Sequence, residues 1–253
     1  MKNLITLGAI VMLLFLAWAG HVNGQVMNGM GPVRLDNQTV AVGPDGTIYV
    51  VTSPLQRGMG REWRQAVLLA VDPVTNGIKW RFSLDDEDRA ASSLVVGKDG
   101  TVYFTLTEMM VMDSPWEDST QVRKAELLAV KNGLLKWKYE FDDVIASEPV
   151  LNPSGDVVFV TTTELLFTPM PGMGSLGRSR FLALADRGTT AERVAFLDLG
   201  VGRVSAPVVG PYPSTSWAIF ITGEAFMAPM GAGQATTLFI ISPDYRLTTL
   251  RLR

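Results

Sequence analysis

V-G-P-D-G-T-I-Y-V at 42–50 returns as V-G-K-D-G-T-V-Y-F at 96–104 and as L-N-P-S-G-D-V-V-F at 151–159, then more loosely as V-G-P-Y-P-S-T-S-W-A-I-F at 209–220. Gly46, Gly100 and Gly155 keep step through the first three. A second phrase follows each: L-L-A-V-D at 68–72, L-L-A-V-K at 127–131, F-L-A-L-A-D at 181–186 and L-F-I-I-S at 238–242. A recurrence at a period of about 55 residues marks a repeat architecture, in which each unit buries its apolar faces against its neighbours.

Inside a unit, apolar residues alternate with polar ones and turn residues punctuate the runs, which is strand patterning. The first unit predicts strands over 38–43, 47–53, 66–72 and 77–84, joined by turns at Asp45-Gly46 and Asn76-Gly77. The second predicts 92–97, 101–107, 124–130 and 134–141, with Lys98-Asp99-Gly100 as a tight turn. Glycine accepts the positive φ that such turns demand. Four strands per unit make a propeller blade, so the expected fold is an all-β propeller of four antiparallel blades at about 38–84, 91–141, 147–199 and 205–253.

Composition agrees with a packed chain: of 253 residues, 47% are hydrophobic and 19% charged. Residues 1–24 have the character of an export signal, with Lys2 ahead of an uncharged run from Asn3 to Gly20 and small residues for cleavage after Ala19 or Gly24. The apolar core of roughly 16 residues is short for a membrane span. Cleavage is therefore the expectation; retention as an anchor is the one way the chain would engage a membrane. Residues 25–37 form an N-terminal segment ahead of the 38–253 domain. The chain contains no Cys, which removes lipid attachment and disulfides, and a net charge of −3 offers no basic footprint for nucleic acid. The expected location is periplasmic or secreted.

A-S-E-P-V-L at 146–151, D-G-T-V-Y-F at 99–104 and L-L-A-V-D-P-V-T-N-G-I-K-W at 68–80 resemble the repeat of the PQQ-like propeller family, which includes quinoprotein alcohol dehydrogenases and a propeller lipoprotein that assists outer-membrane barrel assembly. The resemblance covers 38–253, is strong in the first three units and fades in the fourth. It leans toward the assembly protein rather than the dehydrogenases. It implies four-stranded blades around an axis, with Trp80 and Trp137 on outer strands packing between blades and Phe196 near that position in the third. The family usually has seven or eight blades. Four units, the last ending at Arg253 within its outer strand, leave three arrangements open: a closed ring, an open arc, or two chains sharing an eight-bladed ring.

In place of short turns between second and third strands, long loops are expected at about 54–65, 108–123, 164–179 and 223–235. They hold eight of the 12 methionines: Met59, Met109, Met110, Met112, Met170, Met173, Met227 and Met230. M-x-x-M-G occurs at 27–31, 170–174 and 227–231. Equivalent loops of a propeller share one face, so that face is expected to concentrate thioethers beside an acidic fringe at Asp85–Asp88, Asp142 and Asp143. Three roles fit. The loops seal the ring, since Met fills irregular gaps. They dock a protein partner in the envelope, with Trp63, Trp116, Phe167 and Phe226 as anchors. Or Met170, Met173, Met227 and Met230 capture Cu(I), which soft thioethers select.

Catalysis has little to work with. His21 is the single His and falls in the leader, and no G-x-S-x-G, G-x-G-x-x-G or phosphate loop is present. The vicinal Cys pair of the family's dehydrogenases is missing, and their Ca²⁺ ligands have no matching positions, so no cofactor is expected. The reading is a non-catalytic, exported binding or assembly module, with periplasmic Cu(I) binding as the alternative and a quinone-dependent oxidoreductase third.

Overall fold

The computed structural model describes residues 39–52, 67–84, 89–114, 117–142, 144–166, 176–224 and 236–252. The chain divides into units 1–34 and 35–253, and every described residue belongs to the second. The first sheet holds β1 (Thr39–Val42), β2 (Ile48–Thr52), β3 (Val67–Val71) and β4 (Ile78–Ser83). The second holds β5 (Arg89–Ala91), β6 (Val95–Val96), β7 (Val102–Ser114), β8 (Glu117–Lys131) and β9 (Leu134–Asp142). The third holds β10 (Val144–Ala146), β11 (Val150–Leu151), β12 (Val157–Leu166), β13 (Leu176–Asp186) and β14 (Ala191–Val201). The fourth holds β15 (Arg203–Val204), β16 (Val208–Tyr212), β17 (Thr215–Glu224), β18 (Thr236–Ile241) and β19 (Leu247–Leu252). Each sheet is an antiparallel meander in chain order, so the protein is all-β with four sheets of four strand positions.

In the last three sheets the first position is split into two short strands that both pair with the second strand. The continuous strand expected over 92–97 is one such case. The break falls at Ser92, Ser147 and Ser205, and two of the three breaks contain a proline, Pro149 or Pro207, which has no N–H to give a ladder. The serine side chain takes over the lost pairing. Thr105 N donates to Ser92 Oγ (2.9 Å), Thr161 N to Ser147 Oγ (3.0 Å) and Thr222 N to Ser205 Oγ (3.0 Å). The threonines then reach onward: Thr105 Oγ1 donates to Ser147 O (3.0 Å) and Thr161 Oγ1 to Ser205 O (2.9 Å), each in the next sheet. A Ser–Thr latch thus ties the second strand of one sheet to the first position of the next. Thr161→Val keeps the shape, removes one donor and orphans its acceptor. Its expected cost is about 1 kcal/mol, checked by urea unfolding; no measurable loss would mean the latch adds nothing.

The repeated phrase makes the hairpin that starts each sheet. Gly46, Gly100 and Gly155 hold φ values of 82°, 80° and 86°. Asp45 and Asp99 accept from the N and Oγ1 of Thr47 and Thr101, clamping the turn. In the third repeat Asn152 does this instead, its Oδ1 accepting from the amides of Gly155, Asp156 and Val157, which is why N-P-S-G-D can stand for G-P-D-G-T. In the first, second and fourth repeats the glycine preceding the turn makes room for an aromatic: a Cβ on Gly43, Gly97 or Gly210 would lie 2.9, 3.3 or 3.3 Å from the ring of Tyr49, Tyr103 or Phe220.

Each inner sheet has two apolar faces because strand residues alternate. One core joins sheets one and two through Tyr49, Val51, Leu68 and Ala70 against Val102, Phe104, Leu128 and Val130. The next joins sheets two and three, with Tyr103, Leu127, Ala129 and Trp137 facing Val158, Val160, Leu182 and Leu184. The third joins sheets three and four, with Phe159, Phe181 and Ala183 facing Ile219, Ile221, Phe239 and Ile241. The same repeat positions serve each time, so successive sheets stack in one orientation.

Trp80 and Trp137 pack in these interfaces against Tyr49 and Tyr103, at 5.7 and 5.8 Å between ring centroids. Phe196 does not take the equivalent place. Its register opposite Leu182 turns it to the other face, where it is half exposed beneath the Arg180 and Arg193 guanidiniums. Trp217, from the second strand of sheet four, supplies the aromatic there, 6.0 Å from Phe159.

Two loop expectations are corrected. Residues 108–123 are mostly strand, because β7 and β8 pair from Val102 out to Ser114 and Glu117. Alternating residues such as Val111, Thr120 and Val122 favour pairing over a coil. In the third sheet, Glu164–Leu166 and Leu176–Ser179 likewise extend β12 and β13. Methionine therefore does occur in strands, at Met109, Met110 and Met112 of β7.

Candidate functional site

The β7–β8 hairpin outgrows its sheet. β5 pairs with β7 only at Leu106–Glu108, and β9 pairs with β8 only from Lys124 to Lys131. Past that point β7 and β8 pair only with each other among the described residues, with Arg123 as an extra residue where the register steps from Glu108 opposite Lys124 to Met109 opposite Val122. A bulge of this kind bends a strand pair and increases its twist. Met109, Met110 and Met112 occupy three of four successive positions of this two-stranded arm. Of the other sequence-predicted site residues, Met59, Trp63, Trp116, Phe167, Met170, Met173, Phe226, Met227 and Met230 lie outside the described residues, as do Asp85–Asp88 and Asp143.

The strongest cluster of ionisable groups lies between sheets two and three. The Tyr103 hydroxyl donates to Asp186 Oδ2 at 2.6 Å, and Lys136 Nζ donates to the same oxygen at 2.6 Å. Lys136 also stands 3.8 Å from Asp99 Oδ2, which Lys131 approaches to 2.7 Å. Burial alone would push the Asp186 carboxyl up, but donors from Lys136, Tyr103 and the Gly188 amide outweigh it and hold the pKa below the ordinary value. Asp99 behaves alike: burial opposes ionisation, and Lys131 and Thr101 bring it down to about 2. Burial followed by its bond to Asp186 pushes the Tyr103 phenol far up, so it stays a neutral donor. The Trp137 indole N–H lies in the field of Asp186 and helps hold that carboxyl down. It makes no hydrogen bond of ordinary geometry and is the single buried side-chain polar atom without a partner among the described residues.

A second group sits on sheet two, where Glu126, nearly buried, meets Lys124 (3.0 Å) and Lys138 (3.4 Å), and both lysines reach Glu140. In each cluster every carboxylate faces a cation at contact distance. That pattern fastens strands and sheets. Among the described residues no group of three or more His, Cys, Asp or Glu stands close enough to hold a metal ion.

Tyr103, Lys136 and Asp186 were not singled out by sequence reasoning. A signal was there: Lys136 precedes Trp137 as Lys79 precedes Trp80, and Asp186 ends F-L-A-L-A-D where Asp72 ends L-L-A-V-D. The signal is partial: Lys79 pairs with Asp45 of its own unit, and the second unit carries Lys131 where the first has Asp72, so of these two lysines only Lys136 meets an aspartate of the next unit. In comparisons with known proteins, the chain matches no family model and no curated protein.

Proposed function

We propose that this chain is an exported, non-catalytic β-propeller module that binds a protein partner in a bacterial-type envelope through the hairpins between its second and third strands. The observation that carries the reading is the β7–β8 arm. Isolated two-stranded ribbons are marginally stable in water, and this one carries three methionines in four residues. Methionine-rich surfaces adapt to partners, which gives such an arm a use as a docking element. Support for the radial arrangement comes from the three like-oriented sheet interfaces and the latch from the second strand of one sheet to the first position of the next. In that arrangement the strand ends at Thr52 and Val67, at Leu166 and Leu176, and at Glu224 and Thr236 lie on the same side as the arm, and the sequence between them holds Met59, Met170, Met173, Met227 and Met230. The ionic clusters serve as clasps, which fits a scaffold better than an enzyme.

A photo-reactive residue placed at Met112 tests this in envelope extract, with Leu134, an exposed residue at the β8–β9 turn, as the control position. The expected result is one discrete cross-linked protein from position 112, abolished when Met109 and Met110 are both changed to Ser, and none from position 134. Identical labelling from both positions overturns the docking role.

A further inference from the structure

Among the described residues, the two terminal sheets each have one apolar face that is only partly covered. On sheet one, Ile48, Val50, Leu69 and Val71 occupy the repeat positions that in sheet two are Val102, Phe104, Leu128 and Val130, and in sheet four Ile219, Ile221, Phe239 and Ile241. The later sets are buried in sheet interfaces; the first is only partly covered, and Val42 beside it is 57% exposed. On sheet four, Phe220, Leu238 and Ile240 occupy the positions of Tyr49, Leu68 and Ala70, all buried, yet they are partly covered. Beside them Val208 is 61% and Leu250 51% exposed. No apolar core among the described residues joins sheet four to sheet one.

The latch tells the same story. Thr105 and Thr161 donate into the next sheet, whereas Thr222, their counterpart in sheet four, is exposed and its Oγ1 has no partner among the described residues.

We infer that a second copy of this chain covers both faces, sheet four of each copy packing on sheet one of the other to complete a ring of eight sheets. The inference rests on the radial arrangement proposed above and not on the docking arm. Three internal interfaces already join a Tyr49-type face to a Val102-type face, so the open Tyr49-type face of sheet four fits the open Val102-type face of sheet one by continuation of the repeat. A two-fold axis buries all four open faces of a pair at once and leaves none for further growth. Eight sheets reach the upper end of the usual four to eight propeller blades, and a third copy would pass it.

The absence of Cys allows a clean test by introduced pairs. Ser93 Oγ donates to Glu148 Oε1 at 2.7 Å across the interface between sheets two and three. The equivalent positions at the new junction are Ala206 and Thr39. Folded chain carrying T39C and A206C, treated with a short bis-maleimide, is expected to give a covalent dimer, and the unmodified chain is expected at twice its mass in light scattering. Leu250→Glu, at an exposed site, is expected to return it to monomer with its circular dichroism unchanged. A link formed within one chain means a four-sheet ring and overturns the inference, as does a monomer with no link. An S93C/E148C chain serves as the internal control: failure to link within one chain refutes the radial arrangement itself. A monomeric protein whose Met112 probe still captures one partner loses the second-copy inference alone.

Discussion

Phe159→Ala is expected to destabilise the protein by about 3–5 kcal/mol, a large share of the 5–15 kcal/mol typical of a domain. Phe159 is fully buried in the core between sheets three and four, with Phe181 at 5.7 Å and Trp217 at 6.0 Å between ring centroids. Truncation removes the transfer free energy of the ring and leaves a cavity that two flanking sheets, each pinned by its own ladder, cannot collapse to fill. Phe196→Ala supplies the contrast. That ring is half exposed and meets two guanidiniums at 5.9 and 5.3 Å, so its loss is expected to cost about 0.5–1 kcal/mol. Equilibrium urea unfolding of the two variants separates the positions. Near-equal losses would mean that sheet four is held by something other than this core.

That pair of phenylalanines also shows where reading the sequence stops. Strand positions followed closely from alternation and turn chemistry: the first unit's expected strands at 47–53 and 66–72 are β2 over Ile48–Thr52 and β3 over Val67–Val71. Which face a residue joins depends on register. In sheet three the pairing shifts between Ala183 and Leu184, and again between Ser179 and Arg180. The first of these shifts recurs at Ala70/Val71 and Ala129/Val130, so in sheet three the place of Trp80 and Trp137 falls to Ala195, opposite Ala183, and Phe196, one residue on, faces the other way. The long loop expected at 108–123 failed for a related reason. Glu108, Asp113, Asp118 and Arg123 break up the apolar run there, while pairing in a hairpin arm needs only backbone groups and moderate strand propensity. The split first strands were invisible because Ser147-Glu148-Pro149 reads as part of a strand until the serine hydroxyl is seen to replace a ladder bond. The clasp between sheets two and three needed a different comparison, between units rather than along one.

Lys136→Met is expected to show that this clasp holds charge and not bulk. Asp186 is almost wholly buried, and Lys136 is one of the two side chains that donate to its Oδ2. Removing the ammonium leaves the carboxylate with the Tyr103 hydroxyl and the Gly188 amide, so the cost at neutral pH is expected near 2–3 kcal/mol, about the lower part of the range for breaking a buried pair. The pH dependence fixes the cause. In the parent protein the Asp186 pKa is depressed, so its contribution is complete above the unfolded value of about 3.9 and is lost as pH falls through the folded value. In the variant that depression is largely gone, and the charged form is the one penalised. The deficit against the parent is therefore expected to be full at pH 7 and to shrink below about pH 4, where protonation removes the unpaired charge. Lys136→Arg, which keeps a cation, is expected to recover most of the loss. A deficit that stays constant between pH 7 and pH 3 assigns the effect to packing of the lysine stem and refutes the ionic clasp between the second and third sheets.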